Sequence, residues 1–371
     1  FLITVVGDGY GGLEHRASSS LICRRDELPR RGEQAVSERY RTLLALASHE
    51  YLHVWNVKRI KPQAFVPYDL SREAYTRLLW AFEGITSYYD TLALTRCGLI
   101  TPQQYLEVLG QTMTRLLRGS GRLKQTVEES SFDAWIKFYR PDENTPNAVV
   151  SYYTKGALIA LALDLLIRRD TRNHSLDDVM RALWVRYGKP QIGVPEDGVE
   201  RTAQEVTGLD LRSFFDAALR STDELPLESL LASVGVDLHL RPAESDQDKG
   251  GKPAKDASSV GRPGLGVRLA DNGREAKLAH VLDGGAAQEA GLAAGDVIVA
   301  WDGLRATCGT LPGLVESYPV GAPVRVHVFR RDELMEFQIA LRPAPLDTCF
   351  LTLRSDVDPD TRRRRERWLG R

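Results

Sequence analysis

Two histidines flank a glutamate in the segment LALASHEYLHVWNVKRIKP, residues 44–62: His49, Glu50 and His53. On a helix, residues four apart share a face, so the two imidazoles can meet one metal ion. Glu50, one step round, stands where a water on that metal would be. Neutral imidazole is a good zinc ligand. Zinc brings the pKa of a bound water towards about 7, and a neighbouring carboxylate can take its proton. The alternative is a decorated turn of an exposed helix. Against it, the preceding RTLLALAS is apolar enough to be buried. Buried polar groups need partners, which a metal supplies.

A catalytic site of this kind needs a third ligand. Glu83 in LLWAFEGITSYY is the candidate, because its neighbours Trp80, Phe82, Ile85 and Tyr88 are largely apolar and place it in a buried stretch. The alternative is a carboxylate on a helix surface. Three protein ligands leave the fourth position to water, the mark of a catalytic rather than a structural zinc. Imidazole and carboxylate also accept other divalent ions.

These residues have to be positioned by two packed antiparallel helices. The pattern predicts one over 37–60, closed by Pro62, and another through REAYTRLLWAFEGITSYYDTLALTRC, stopping near Gly98. The loop around KPQAFVPYDL joins them. Before them, residues 1 to about 25 are β-rich, with FLITVV and ASSSLIC around GDGYGG. After them, Thr101, Pro102 and Gln104 form a helix start with a capping box. Further helices are expected at about 151–169, 176–187 and 211–219.

The character changes at RPAESDQDKGGKPAKDASSVGRPG, whose only large apolar residue is Val260. It reads as a flexible linker over 241–263. A short β-rich unit follows at 264–345, with strand-like runs GLGVRL, KLAHVL, DVIVAWDG, VRVHVFRR and EFQIAL and one short helix, GAAQEAGL. Residues 346–371 end in TRRRRERWLGR, read as a basic tail with a solvated helix face. The class is α+β: residues 1–240, mostly helical after a β-rich start, then a small β-rich domain.

Bulk properties exclude several classes. The chain has 371 residues, 43% hydrophobic and 27% charged, and a net charge of −1. Nothing there points to nucleic acid or to an acidic membrane surface. The longest apolar run, GALIALALDLLI, carries Asp164 and is about a dozen residues, short of the roughly 18 a span needs. The four cysteines form no CxxC, which argues against a disulfide framework or a zinc knuckle and favours a reducing, cytoplasmic setting. The chain begins FLITVVGDGYGG, without Met and in mid-strand, and reads as lacking an upstream part that could carry a targeting segment.

Together, HEYLHVWNVKRIKP, WAFEGITSYY and GDGYGGLEHRASS resemble the glycyl aminopeptidase family of zinc metallopeptidases. These are gluzincins with a thermolysin-like catalytic domain, and the order of a catalytic domain and then a PDZ-like module is also similar. The resemblance implies one Zn2+ on His49, His53 and Glu83, with Glu50 as the base. YYTKGAL resembles the YxKG segment of related aminopeptidases, which implies Tyr153 as donor to the oxyanion, with Tyr152 one register away. GGLEH resembles their G-x-M-E-N strand. Gly11 and Gly12 would then face the peptide backbone and Glu14 would hold the free amine. A phenol and a carboxylate suit those tasks chemically.

RPGLGVRL and AAGDVIVAWDG are similar to PDZ sequences, which implies a carboxylate loop at Gly264, Leu265, Gly266 and Val267 that could take a protein C-terminus. Two departures stand out. Family members carry an N-terminal β-rich domain before the point where this chain begins, and the 29 residues between His53 and Glu83 exceed the spacing in better-known aminopeptidases of the clan. The implied activity is removal of N-terminal Gly or Ala from peptides with a free N-terminus. The alternatives are a non-catalytic peptide-binding protein acting through the PDZ-like module, and a zinc endopeptidase.

Overall fold

Three short strands open the chain: β1 (Leu2–Val6), β2 (Gly11–Glu14) and β3 (Ser19–Arg24). In this computed structural model, which describes residues 1–33, 35–255, 261–270 and 273–370, they form a sheet in the order β1-β3-β2. The two-residue alternation of β3 sends Leu21 and Cys23 inward, against Leu43 and Leu46 of α1 (Glu38–Leu52). Ser37 caps α1 by accepting from the Tyr40 N–H.

The first helix stops at Leu52, short of the expected 60. Asn56 is the reason. Its buried amide donates to the Ala81 carbonyl and to Thr86 Oγ1, both at 3.1 Å, and ties the chain to the next helix. That next helix starts only at a π-helical turn, Trp80–Gly84, which continues into α2 (Ile85–Arg96). Upstream, Thr76 Oγ1 and the Arg77 N–H donate to Glu196 at 2.8 and 3.0 Å and hold the chain off the helix.

The helical section continues with α3 (Pro102–Leu117), α4 (Val127–Phe132), α5 (Thr145–Ala148), α6 (Tyr152–Asp170) and α7 (Leu176–Leu183). It closes with α8 (Gly198–Thr207), α9 (Arg212–Phe215) and α10 (Leu227–Ala232). The Thr101–Gln104 capping box on α3 is present. Helix α8 went unforeseen because few apolar residues mark it: its buried positions are Gly198, Val199, Thr202, Ala203 and Thr207.

Helix α6 runs through the core, and every residue from Thr154 to Leu165 is buried. By length and composition the run Thr145–Asp170 would cross a membrane, but 83% of its apolar window lies inside the fold. Asp164 is fully buried there and satisfied by Tyr88 Oη (2.6 Å), Arg168 Nε (3.0 Å) and the Leu176 N–H (2.8 Å).

Strand β4 (Val236–Arg241) leads into the segment read as a linker. Over 241–255 that segment is tied down. Asp248 pairs with Arg241 at 2.5 Å and accepts from the Glu244 and Gly250 N–H groups, and the Gly251 N–H donates to the Cys349 carbonyl at 2.8 Å. Charge and turn chemistry do here what apolar residues do elsewhere. Residues 256–260 lie outside the described residues.

The small unit comprises β5 (Pro263–Gly264), β6 (Val267–Leu269), β7 (Ala276–Val281), α11 (Ala286–Ala290), β8 (Val297–Trp301), β9 (Leu304–Arg305), α12 (Leu311–Glu316), β10 (Pro323–Arg330), β11 (Glu333–Ala340) and β12 (Arg342–Pro343). Its sheet runs β11-β10-β8-β7-β6 over its own core around Trp301, Ile298 and Val326. Buried Asn147 joins it to the helical section, donating to the Val281 carbonyl at 2.8 Å and accepting from the Asp283 N–H at 3.0 Å.

The C-terminal segment corrects the reading of a solvated tail. Strand β13 (Thr348–Leu353) pairs antiparallel with β4, and α13 (Pro359–Leu369) docks on the core. Trp368 is fully buried and donates to Tyr88 Oη at 2.9 Å, while the Arg96 and Arg168 side chains donate to the Trp368 and Arg367 carbonyls. The arginine run masks two buried apolar residues, Trp368 and Leu369, which decide where the helix goes.

Candidate active site

Helix α1 and the π-helical turn before α2 bring three donors together. His49 Nε2 and His53 Nε2 are 3.1 Å apart, and Glu83 Oε2 lies 3.4 Å from the first and 3.3 Å from the second. Tetrahedral ligands about 2.0–2.1 Å from a zinc ion sit about 3.3 Å from one another. The triangle has that size.

The outer nitrogens set the tautomers. His49 Nδ1 faces Asp90 Oδ2 at 3.3 Å and His53 Nδ1 faces the Asn56 carbonyl at 2.7 Å. Both partners are acceptors, so in the neutral rings Nδ1 carries the proton and Nε2 offers a bare lone pair. Two such lone pairs and a carboxylate oxygen then converge on one point. That arrangement repels itself unless a cation or shared protons sit between, and it fits a divalent metal.

Without a bound metal ion, protons would do this work. Burial alone would push His49 down, but the Asp90 and Glu83 carboxylates override it and raise it to about 10. His53 is raised in the same way, chiefly by Glu83 against burial. For Glu83 burial acts upward, yet the two histidines bring it down to about 2.

Glu50 lies beside this triangle, 5% exposed, and its Oε2 has no hydrogen-bond partner among the described residues. Burial holds its carboxyl above the usual range, against the pull of His49 and His53. Gly12 of β2 makes room for it: a Cβ there would fall 2.0 Å from Glu50 Oε1. The strand therefore lies directly against the carboxylate. Gly11 has open space around it.

Between the two tyrosines of YYTKG, the structure distinguishes clearly. The Tyr153 ring stacks towards His49 with centroids 6.4 Å apart. Tyr152 is buried and packs on Phe138 at 4.8 Å. Burial first, then the Glu83 charge, raises the Tyr153 phenol well above its ordinary value, so it keeps its proton.

Glu14 ends β2 with its carboxylate already engaged: Lys58 Nζ is 2.9 Å from Oε1. The glycine loop of the small unit is far along the chain. Gly264 belongs to β5, and the Leu265 and Gly266 carbonyls accept from the Ala287 and Leu282 N–H groups, each at 2.9 Å. Val267 opens β6.

Three neighbours of the site went unread in the sequence. Asp90 had a signal: it follows Glu83 by seven residues, two helical turns along one face. Asn56 and Tyr139 had none, since each sits outside the regular helices and matters through a partner remote in sequence.

Comparison with known proteins bears on the same residues. A family profile described as M61 glycyl aminopeptidase matches residues 42–159, the stretch that holds His49, Glu50, His53, Glu83 and Tyr153. The crystal structure of an aminopeptidase N family protein from Idiomarina loihiensis is similar over 99% of this chain, with 39% identity and a TM-score of 0.91. The chain spans 61% of that protein's length. A serine endoprotease from Yersinia pestis is similar over 23% of this chain and 30% of its own, with 22% identity and a TM-score of 0.21. A comparison with curated proteins gave no match.

Proposed function

We propose that the chain is a zinc-dependent aminopeptidase that removes small N-terminal residues, glycine or alanine, from peptides. The observation that carries this reading is the convergence of His49, His53 and Glu83 beside the buried, unpartnered Glu50 oxygen. The match to a glycyl aminopeptidase profile over those residues supports it, and the small-residue preference is proposed from that likeness.

Held by these three side chains, zinc would polarise the scissile carbonyl and bring the pKa of a bound water to about 7. Glu50 takes a proton from the attacking water and passes it to the leaving amine. Its dry setting keeps the carboxyl basic enough for both transfers. Tyr153, protonated at neutral pH, donates to the oxygen that gains charge. Strand β2 pairs only with β3 among the described residues, so its outer edge can receive the substrate backbone, and Glu14 can take the α-ammonium.

The test is hydrolysis of glycyl- and alanyl-p-nitroanilide by the zinc-loaded chain beside Glu50→Gln. Cleavage by the parent, with a loss of roughly 10²–10⁴ in the variant at unchanged zinc content, is expected. An active Glu50→Gln removes the mechanism.

One observation favours a second reading, a zinc endopeptidase: Lys58 already neutralises Glu14, the residue assigned to the amine. N-acetylated substrates separate the two, since an aminopeptidase stops and an endopeptidase continues. For the small unit we propose capture of a protein C-terminus along β6, which ends its sheet next to Gly264–Val267. If zinc binds and nothing is cleaved, that peptide-binding role becomes the main one.

A further inference from the structure

The hydroxyls of three tyrosines meet beside the metal-type cluster. Tyr139 Oη is 3.2 Å from Tyr153 Oη and 3.3 Å from Tyr152 Oη. Tyr139 follows a second π-helical turn, Ala134–Phe138, which directs its side chain to this point. Its ring leans on Phe138 and Trp135, with centroids at 5.4 and 6.3 Å, and is 57% exposed. Phe138 also packs on both other rings, at 4.8 Å from Tyr152 and 5.6 Å from Tyr153.

Counting protons favours one direction for these hydrogen bonds. A phenol has one proton to donate and lone pairs to accept. Tyr152 is 1% exposed, and its hydroxyl is placed to donate to Tyr139 Oη at 3.3 Å. A buried hydroxyl that donates nowhere is destabilising, so Tyr152 donates to Tyr139. Tyr139 then has its own proton for the Tyr153 oxygen. A Tyr153 that accepts there keeps its proton uncommitted and becomes a stronger donor, because aligned hydroxyls polarise one another.

We propose that Tyr139 is a positioning residue for the reaction: it donates to Tyr153 Oη and so aims the Tyr153 proton at the substrate's carbonyl oxygen. This rests on the reading of Tyr153 as the oxyanion donor. Nothing in the sequence around Tyr139 marks it. The contact is made by a side chain 14 residues away from Tyr153.

Tyr139→Phe tests it, because it removes one oxygen and keeps the ring. Turnover of alanyl-p-nitroanilide by the zinc-loaded full chain is measured for the parent, Tyr139→Phe, Tyr153→Phe and the double variant. The expected kcat of Tyr139→Phe is about tenfold below the parent, with KM within about twofold, as for a contact made in the transition state. The double variant should be no slower than Tyr153→Phe alone, because Tyr139 acts through Tyr153. Zinc content and melting temperature should stay at parental values. A Tyr139→Phe with parental kcat, multiplicative losses in the double variant, or loss of zinc or of the folded state each overturns the proposal and leaves the aminopeptidase reading standing. No turnover by the parent, or an unimpaired Tyr153→Phe, overturns both.

Discussion

Gly84 and Gly156 cross with their backbones in contact: a Cβ on Gly84 would lie 2.5 Å from the Gly156 Cα. Glu83 immediately precedes one glycine, and Tyr153 stands about one helical turn before the other. The crossing therefore sets the separation of the third metal-type donor from the phenol. Two helices can approach this closely only where both side chains are absent.

Gly84→Ala should destabilise the chain by about 1–3 kcal/mol, the usual effect of overpacking. The neighbouring atoms are backbone, so no flexible side chain can yield. Urea denaturation measures it. A variant with the parental midpoint and slope would mean that the two segments are free to separate.

Asp90→Asn should weaken zinc binding by roughly ten- to a hundredfold while leaving the fold intact. The carboxylate accepts from His49 Nδ1 and keeps the ring turned with Nε2 towards Glu83 and His53. An amide can reproduce the shape but lacks the charge. Competition with a chelating dye reads the affinity, and parental affinity would show that Asp90 does not orient the ring.

In the metal-free chain, His49 holds its proton up to about 10, against 6.5 for the free side chain, because Asp90 and Glu83 outweigh burial. The folded state thus binds that proton more tightly than the unfolded state. The resulting stabilisation is complete below pH 6.5 and is lost as pH rises towards 10. The melting temperature of the zinc-free chain should fall across that window. Glu83, held at about 2, stays ionised throughout it. Zinc has to displace the His49 proton, so binding at pH 8 should release protons, seen by calorimetry in buffers of different ionisation enthalpy. Binding without proton release would place a neutral His49 in the metal-free site.

Trp368→Ala should destabilise by roughly 3–5 kcal/mol, as for other buried tryptophans. It removes a fully buried ring and leaves Tyr88 Oη without its indole donor. Loss of α13 alone, with an unchanged thermal midpoint for the rest, would show that the C-terminal helix is an appendage.

Local pattern carries a definite part of this protein. Helical periodicity alone puts His49 and His53 on one face and places the apolar helix through Leu158–Leu165, and the capping-box residues place the start at Thr101. Each depends on residues within a few positions of one another, and the dihedral period of a helix converts such spacing into geometry. Glu83 needed more than spacing, because the loop before it sets how the second helix meets the first. Other features were decided by contacts between residues far apart. Tyr153 stacks towards His49 while Tyr152 turns into the core against Phe138, an arrangement made by residues far apart in the chain. Residues 241–255 are held because Asp248 meets Arg241 and Gly251 meets Cys349. The arginine-rich end returns to the core because Trp368 reaches Tyr88. A polar or charged stretch looks the same in sequence whether it is solvated or pinned, and the difference lies in a partner that only the folded chain brings near.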